Sequence, residues 1–124
     1  MAHIIGLTTF RDTRGILTVL DKVVNFEIKR LFYIYKVDES DRGGHRHHNT
    51  YQAAICIQGS CQIMNDNGVE RSIFELDSPG KCLIIEPEDW HIMRKFSTDA
   101  ILLVLASTAF DPKDYIYEPY DHTI

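Results

Sequence analysis

The sequence predicts an all-β fold, a small barrel or sandwich, in a chain long enough for one domain. Three observations predict it. Sustained helical periodicity is absent, short runs rich in β-branched and aromatic residues recur about every ten residues, and turn-forming residues fall between them. The first run, Ile4 to Phe10, is followed by Gly15 to Leu20 and then by Arg30 to Val37, rich in aromatic and branched side chains. His45 to His48 is a short polar strand. Tyr51 to Gln58 and Ser60 to Asn65 flank Gly59, and Asp66-Asn67-Gly68, tolerant of positive φ, turns a hairpin into Ser72 to Leu76. Ser78-Pro79-Gly80 separates that run from Lys81 to Ile85. Glu86-Pro87-Glu88-Asp89 separates the next from His91 to Phe96, because proline fixes φ and removes a ladder donor. Ala100 to Ser107 is the last long run. The segment from Phe110 onward is rich in turns, and its Tyr115, Tyr117 and Tyr120 are expected to pack on the barrel rather than act in chemistry. There is no internal repeat.

At 124 residues, 44% hydrophobic and 25% charged, the chain has the composition of an ordinary globular domain with one core and no linker. A formal net charge of −5 argues against nucleic acid or an anionic membrane as partner, and an anionic ligand would need a local arginine cluster. Ala100 to Ala106 is far too short to span a bilayer, and the opening residues lack the features of a signal peptide, so the expected location is the cytoplasm. Cys56, Cys61 and Cys82 make no C-x-x-C pair and leave one over, so they read as small buried hydrophobes in strands.

The most informative stretch is Asp41-Arg42-Gly43-Gly44-His45-Arg46-His47-His48. Residues two apart on a strand share a face, so His45 and His47 look one way and Arg46 and His48 the other. The paired glycines are expected to turn the backbone tightly just before that strand. After His47, four residues lead to Gln52 and six more to Gly59. This H-x-H-x(4)-Q-x(6)-G spacing resembles the first motif of the cupin superfamily, which implies a double-stranded β-helix, the jelly-roll barrel. Cupins usually place glutamate where this chain has Gln52, and there two histidines, that glutamate and a later histidine hold a metal. The candidate later histidine is His91, although its spacing around Pro87 departs from the usual second motif. An amide ligates divalent transition metals more weakly than a carboxylate, so a metal site is the weaker reading. Without metal, the histidines remain available as acid and base near neutral pH.

A narrower resemblance covers nearly the whole chain. Thr13-Arg14-Gly15, Ile28 to Ile34, Arg42 to His47, Gln58-Gly59-Ser60-Cys61, Leu76-Asp77-Ser78-Pro79, Trp90-His91, Val104 to Ser107 and Asp114-Tyr115-Ile116 look like the WxcM-like cupins, which include the dTDP-4-keto-6-deoxyhexose 3,4-ketoisomerases. The resemblance implies a metal-independent isomerase acting on a dTDP-linked 4-keto-6-deoxyhexose, with no cofactor, as a homodimer that exchanges N-terminal strands. Its product would be a dTDP-3-keto-6-deoxyhexose destined for 3-amino deoxysugars of a surface polysaccharide, such as lipopolysaccharide or an S-layer glycan. Its active site would hold the histidines matching His45 and His47.

Moving a ketone from carbon 4 to carbon 3 needs a base for the carbon 3 proton, an acid for carbon 4, and a donor for the enediolate oxygen. The expected assignment makes His47 the carbon acid/base, His45 the carrier of the oxygen-bound proton, and Tyr33 the donor to the keto group. The diphosphate calls for guanidinium groups: Arg14 and Arg42, then Arg94, whose strand parity opposes it to His91. Arg11, Arg30, Arg46 and Arg71 rank below these, as residues expected on the solvated surface. Gln52 is expected to hydrogen-bond the sugar or His47, His91 to orient the sugar or lie at the barrel mouth, Trp90 to fill core, and His3 and His122 to lie on the surface. Three alternatives stay open from the residues: a metal-dependent cupin enzyme using His45, His47 and His91, a 3,5-epimerase, and a non-catalytic sugar-nucleotide binding module.

Overall fold

The computed structural model describes residues 1–122. Two five-stranded sheets pack face to face, and a separate two-stranded hairpin accompanies them. The first sheet has the order β1 (His3–Gly6), β9 (Lys81–Ile85), β6 (Gln52–Gln58), β11 (Ile101–Ala106), β4 (Arg30–Tyr35). The second has β12 (Tyr115–Ile116), β5 (Arg42–His47), β10 (Trp90–Arg94), β7 (Cys61–Asp66), β8 (Arg71–Leu76). All pairings are antiparallel. This is the jelly-roll arrangement the sequence predicts, and no α-helix occurs among the described residues.

The run Ile4 to Phe10 is two strands rather than one. β1 joins the barrel beside β9, while β2 (Thr8–Asp12) leaves it at Leu7 and pairs only with β3 (Gly15–Val19). Each half satisfies its backbone with a different partner, which composition alone does not reveal. Strand alternation accounts for the core. Ala54, Cys56, Leu102 and Val104 point between the sheets and meet Cys61, Ile63 and Leu76 from the second sheet. Ala53, Ile55, Cys82, Ile84 and Leu105 point the other way, where Leu20, Val24 and Phe26 cover them. β6 is therefore covered on both faces, so it reads as a continuous apolar run rather than an alternating one. All three cysteines are free and buried, as expected. Asp66-Asn67-Gly68 does form the predicted turn, with Gly68 N–H donating to the Asp66 carboxylate. No helix among the described residues is long and apolar enough to cross a membrane.

Candidate active site

β5 carries the site. His45 and His47 share its inner face, and Arg46 points to the other, its guanidinium 4.4 Å from the Tyr120 ring centroid. Gly43 and Gly44 do not precede the strand, as expected from sequence, but lie within it. The ladder with β10 pairs His91 with His45 and then Ile92 with Gly43, so Gly44 is an extra residue, a bulge. Both glycines have positive φ, +83° and +79°. A Cβ on Gly43 would lie 3.0 Å from the His91 carbonyl oxygen, so any side chain there would be strained at this φ and would crowd β10.

Three imidazoles meet where β5 and β10 run side by side. The His45 ring centroid lies 5.0 Å from that of His47 and 5.0 Å from that of His91, and His47 and His91 are 6.4 Å apart. His91 is wholly buried, and its Nδ1 pairs with the Asp89 carbonyl at 3.0 Å. A carbonyl only accepts, so that nitrogen carries the proton and Nε2 keeps its lone pair. His47 Nε2, His91 Nε2 and the Gln52 side-chain oxygen are all buried with no partner among the described residues.

The far side of His47 is held by a residue that sequence reasoning did not single out. Asp114 Oδ2 accepts from His47 Nδ1 at 3.0 Å. The same carboxylate takes a short hydrogen bond from the Thr50 hydroxyl and a 2.8 Å bond from Asn49 N–H. Burial pushes the Asp114 carboxyl up, but the bonds from Thr50, Asn49 and His47 outweigh it and hold it below the usual range. Burial is also the main influence on the imidazoles. It lowers His45 to about 4, with neighbouring His91 adding to the effect, and lowers His91 to about 4 against the pull of the Asp89 carbonyl. His47 is lowered by burial and by His45, while Asp114 resists. The imidazoles are thus neutral at physiological pH, with lone pairs available for proton transfer.

A cavity of about 260 Å³ opens beside this group, lined among others by His45, Gln52, Arg30, Arg42, Phe32 and Tyr115. Tyr115 was expected only to pack. It lies instead 4.7 Å from both the His45 and His47 rings, and its hydroxyl accepts from Arg30 Nη1 at 3.2 Å. β12 places it there by pairing Tyr115 with His47. Arg30, ranked among surface arginines in the sequence, is half-buried and also sits over the Phe32 ring at 4.4 Å.

The other candidates are less closely tied to the imidazoles. Tyr33 borders the cavity from β4, but its side chain is 60% exposed and stacks on Tyr35, because its neighbours Phe32 and Ile34 take the inward positions. Arg94 points away from His91 and donates to Gln62, as strand parity requires. Arg14 stands at the tip of the β2–β3 hairpin, paired with Asp12 at 2.6 Å and apart from the imidazoles of its own chain. Trp90 is half-buried and donates to the Tyr117 carbonyl. His122 is tied to the buried Asp66 carboxylate at 2.8 Å rather than free on the surface. Asp114, Tyr115 and Arg30 were missed because each reaches the site through pairing distant in sequence. The available signal was the Asp114-Tyr115-Ile116 segment, an acid beside an aromatic in a polar stretch.

The donor set lacks the carboxylate usual in cupin metal sites, where this chain has the neutral Gln52. Among the described residues no three His, Cys, Asp or Glu donors converge as a cation requires. His47 Nδ1 is held by Asp114, which leaves Nε2 as the nitrogen available to a ligand.

Residues 1–123 match the FdtA family, described as WxcM-like, C-terminal. The chain is 38% identical over 122 residues to a TDP-4-oxo-6-deoxy-alpha-D-glucose-3,4-oxoisomerase of Aneurinibacillus thermoaerophilus, covering 96% of this chain and 87% of that protein. The 3,4-ketoisomerase of Thermoanaerobacterium thermosaccharolyticum, solved as a histidine-to-asparagine variant with TDP-4-keto-6-deoxyglucose, is 37% identical with a TM-score of 0.90, covering 94% of this chain and 87% of that one. A TDP-fucose-3,4-ketoisomerase of Campylobacter jejuni is 42% identical with a TM-score of 0.87, covering 94% of this chain and 89% of that one.

Proposed function

Given that the chain belongs to the FdtA family of WxcM-like proteins, we propose that it is a 3,4-ketoisomerase of TDP-4-keto-6-deoxyglucose, working without a metal ion. The observation that carries this reading is the group of three neutral imidazoles, with Gln52, beside a cavity walled by Arg30 and Arg42. Buried acceptors at His47 Nε2, His91 Nε2 and the Gln52 oxygen suit the hydroxyls of a sugar, and guanidinium groups suit a diphosphate.

The roles expected for the two β5 histidines are exchanged in this reading, because His45 lines the cavity and His47 does not. His45 takes the carbon 3 proton and returns one to carbon 4. His47 accepts the proton of the carbon 3 hydroxyl and delivers it to the carbon 4 oxygen. The C3–H electron pair forms the enediolate and then the new C4–H bond, so the electrons stay within the sugar and no redox cofactor takes part. Tyr115, rather than Tyr33, is the phenol donor to the enediolate oxygen. Its hydroxyl accepts from Arg30, which strengthens its own proton as a donor.

A second copy of the chain completes the assembly as a homodimer. Supporting this are the exposed Leu31, Tyr33 and Tyr35 on β4 and the exposed Phe10, Ile16 and Leu17 on a hairpin that pairs with no other strand. That hairpin is the segment the two copies exchange, which would carry Arg14 toward the partner's site. Three free cysteines suit the cytoplasm. The 3-keto product is what an aminotransferase needs to install nitrogen at carbon 3 of a deoxysugar for a surface polysaccharide. The test is incubation of metal-stripped protein with TDP-4-keto-6-deoxyglucose in deuterated water, followed by NMR. A TDP-3-keto sugar carrying deuterium at carbon 4 is expected. Unchanged substrate would overturn the assignment, deuterium at carbon 5 would make the protein an epimerase, and activity only on returning metal would overturn the metal-free chemistry.

A further inference from the structure

His47 presents two nitrogens, and a proton carrier works only if the correct one faces the substrate. An ionised carboxylate only accepts, so the 3.0 Å contact from Asp114 Oδ2 fixes the proton on His47 Nδ1 and leaves the lone pair on Nε2, the nitrogen that is buried with no partner among the described residues. Asp114 is itself immobilised. Thr50 donates to the same oxygen, and Thr108, 2.7 Å from the Thr50 hydroxyl, must donate to Thr50, whose one proton is already committed. Asn49 N–H holds the other carboxylate oxygen at 2.8 Å, and His48 N–H donates to the Asp114 backbone carbonyl at 3.0 Å. The His47 backbone is pinned too, its N–H donating to the Pro87 carbonyl at 2.9 Å.

We propose that Asp114 is a positioning residue of the isomerisation: it sets the tautomer of His47, so that Nε2 can accept the proton of the carbon 3 hydroxyl and hand it to the carbon 4 oxygen. This rests on the ketoisomerase reading. While His47 briefly holds both protons, the Asp114 carboxylate faces the imidazolium and stabilises it, without itself taking a proton. Thr50 and Thr108 act one step further out, keeping Oδ2 aimed at His47.

The test reads the tautomer and the chemistry separately. Nitrogen-15 NMR of histidine-labelled protein without substrate is expected to show His47 protonated at Nδ1 at neutral pH. In Asp114→Asn the amide can donate to Nδ1, so the proton should move to Nε2. Its kcat should then fall by about 100-fold to 10,000-fold while KM changes little, as for other carboxylates that orient a catalytic imidazole. Asp114→Glu should recover part of the loss, and Thr50→Val should show a smaller loss of the same kind. Nε2-protonated His47 in the unaltered protein overturns the proposal even if every variant misfolds. So does an Asp114→Asn protein with unaltered kcat. If the tautomer is as expected but the protein leaves the keto sugar untouched, it is the ketoisomerase reading that fails.

Discussion

Replacing Gly43 with alanine tests how tightly the β5 bulge is coupled to the imidazole group. Two costs arise. Any Cβ in the left-handed region costs about 1–2 kcal/mol, and at Gly43, with φ +83°, that penalty applies in full. The new methyl would also sit 3.0 Å from the His91 carbonyl oxygen and 3.7 Å from its ring Cδ2. The carbonyl belongs to β10, which is held between β5 and β7, so it cannot yield freely, and overpacking of this kind costs about 1–3 kcal/mol. Gly44→Ala is the matched control, because it shares the backbone penalty at φ +79° but meets nothing within 4 Å. Urea unfolding should therefore place Gly43→Ala at about 2–5 kcal/mol destabilised and Gly44→Ala at only about 1–2 kcal/mol, both still folded if overall stability is of the usual size. Because the contact falls on His91, kcat for Gly43→Ala should drop at least about tenfold further than for Gly44→Ala, since small misplacements of catalytic groups are expensive. Equal midpoints and equal kcat for the two variants would refute the claim that the bulge governs the spacing of β5 and β10.

Three other outcomes are expected. Tyr115→Phe keeps the ring against His45 and His47 but removes the phenol, and kcat should fall by about 100-fold to 1,000-fold with the fold intact; unchanged turnover by NMR assay would remove Tyr115 from the chemistry. Lowering the pH should destabilise the protein. His45 and His91 are held near about 4 in the folded chain against 6.5 when free, so between those values the unfolded chain takes up protons that the folded one refuses. From pH 7 to pH 5 the wholly buried His91 alone should cost about 2 kcal/mol, and Tm should drop by roughly 5 °C or more in thermal scans; a Tm that holds constant would contradict burial of neutral imidazoles. Finally, Leu17→Asp with Tyr33→Glu places charge on the two exposed apolar patches, and sedimentation should then report half the mass of the unaltered protein. The same mass for both would argue against those surfaces as the dimer contact.

Much of the architecture is legible in the sequence because strand periodicity and turn chemistry are local properties. The long strands from β3 to β11 fall within or close to the apolar and aromatic runs, and H-x-H spacing alone puts His45 and His47 on one face. Three features escaped for a shared reason. The split at Leu7, the bulge at Gly44 and the arrival of Asp114 and Tyr115 beside His47 depend on which strand pairs with which, over separations that no local window spans. Arg30 is the clearest case: as a charged residue opening a strand it looks solvated, and its contacts with the Tyr115 hydroxyl and the Phe32 and Phe110 rings make it part of the site. Tyr33 differs in the opposite sense: it borders the cavity, but its side chain is largely exposed. Its neighbour Phe32 has the inward position, and a one-residue difference in parity sends a side chain to the other face of the sheet.

The pairing of β12 with β5 also has a consequence for the protein as it is being made. A ribosome that has delivered all three histidines has still not delivered Asp114 or Tyr115, which arrive more than twenty residues after His91. Without that short strand, a nascent or clipped chain holds the residues of β1 to β11 and yet lacks the carboxylate that pairs with His47 Nδ1.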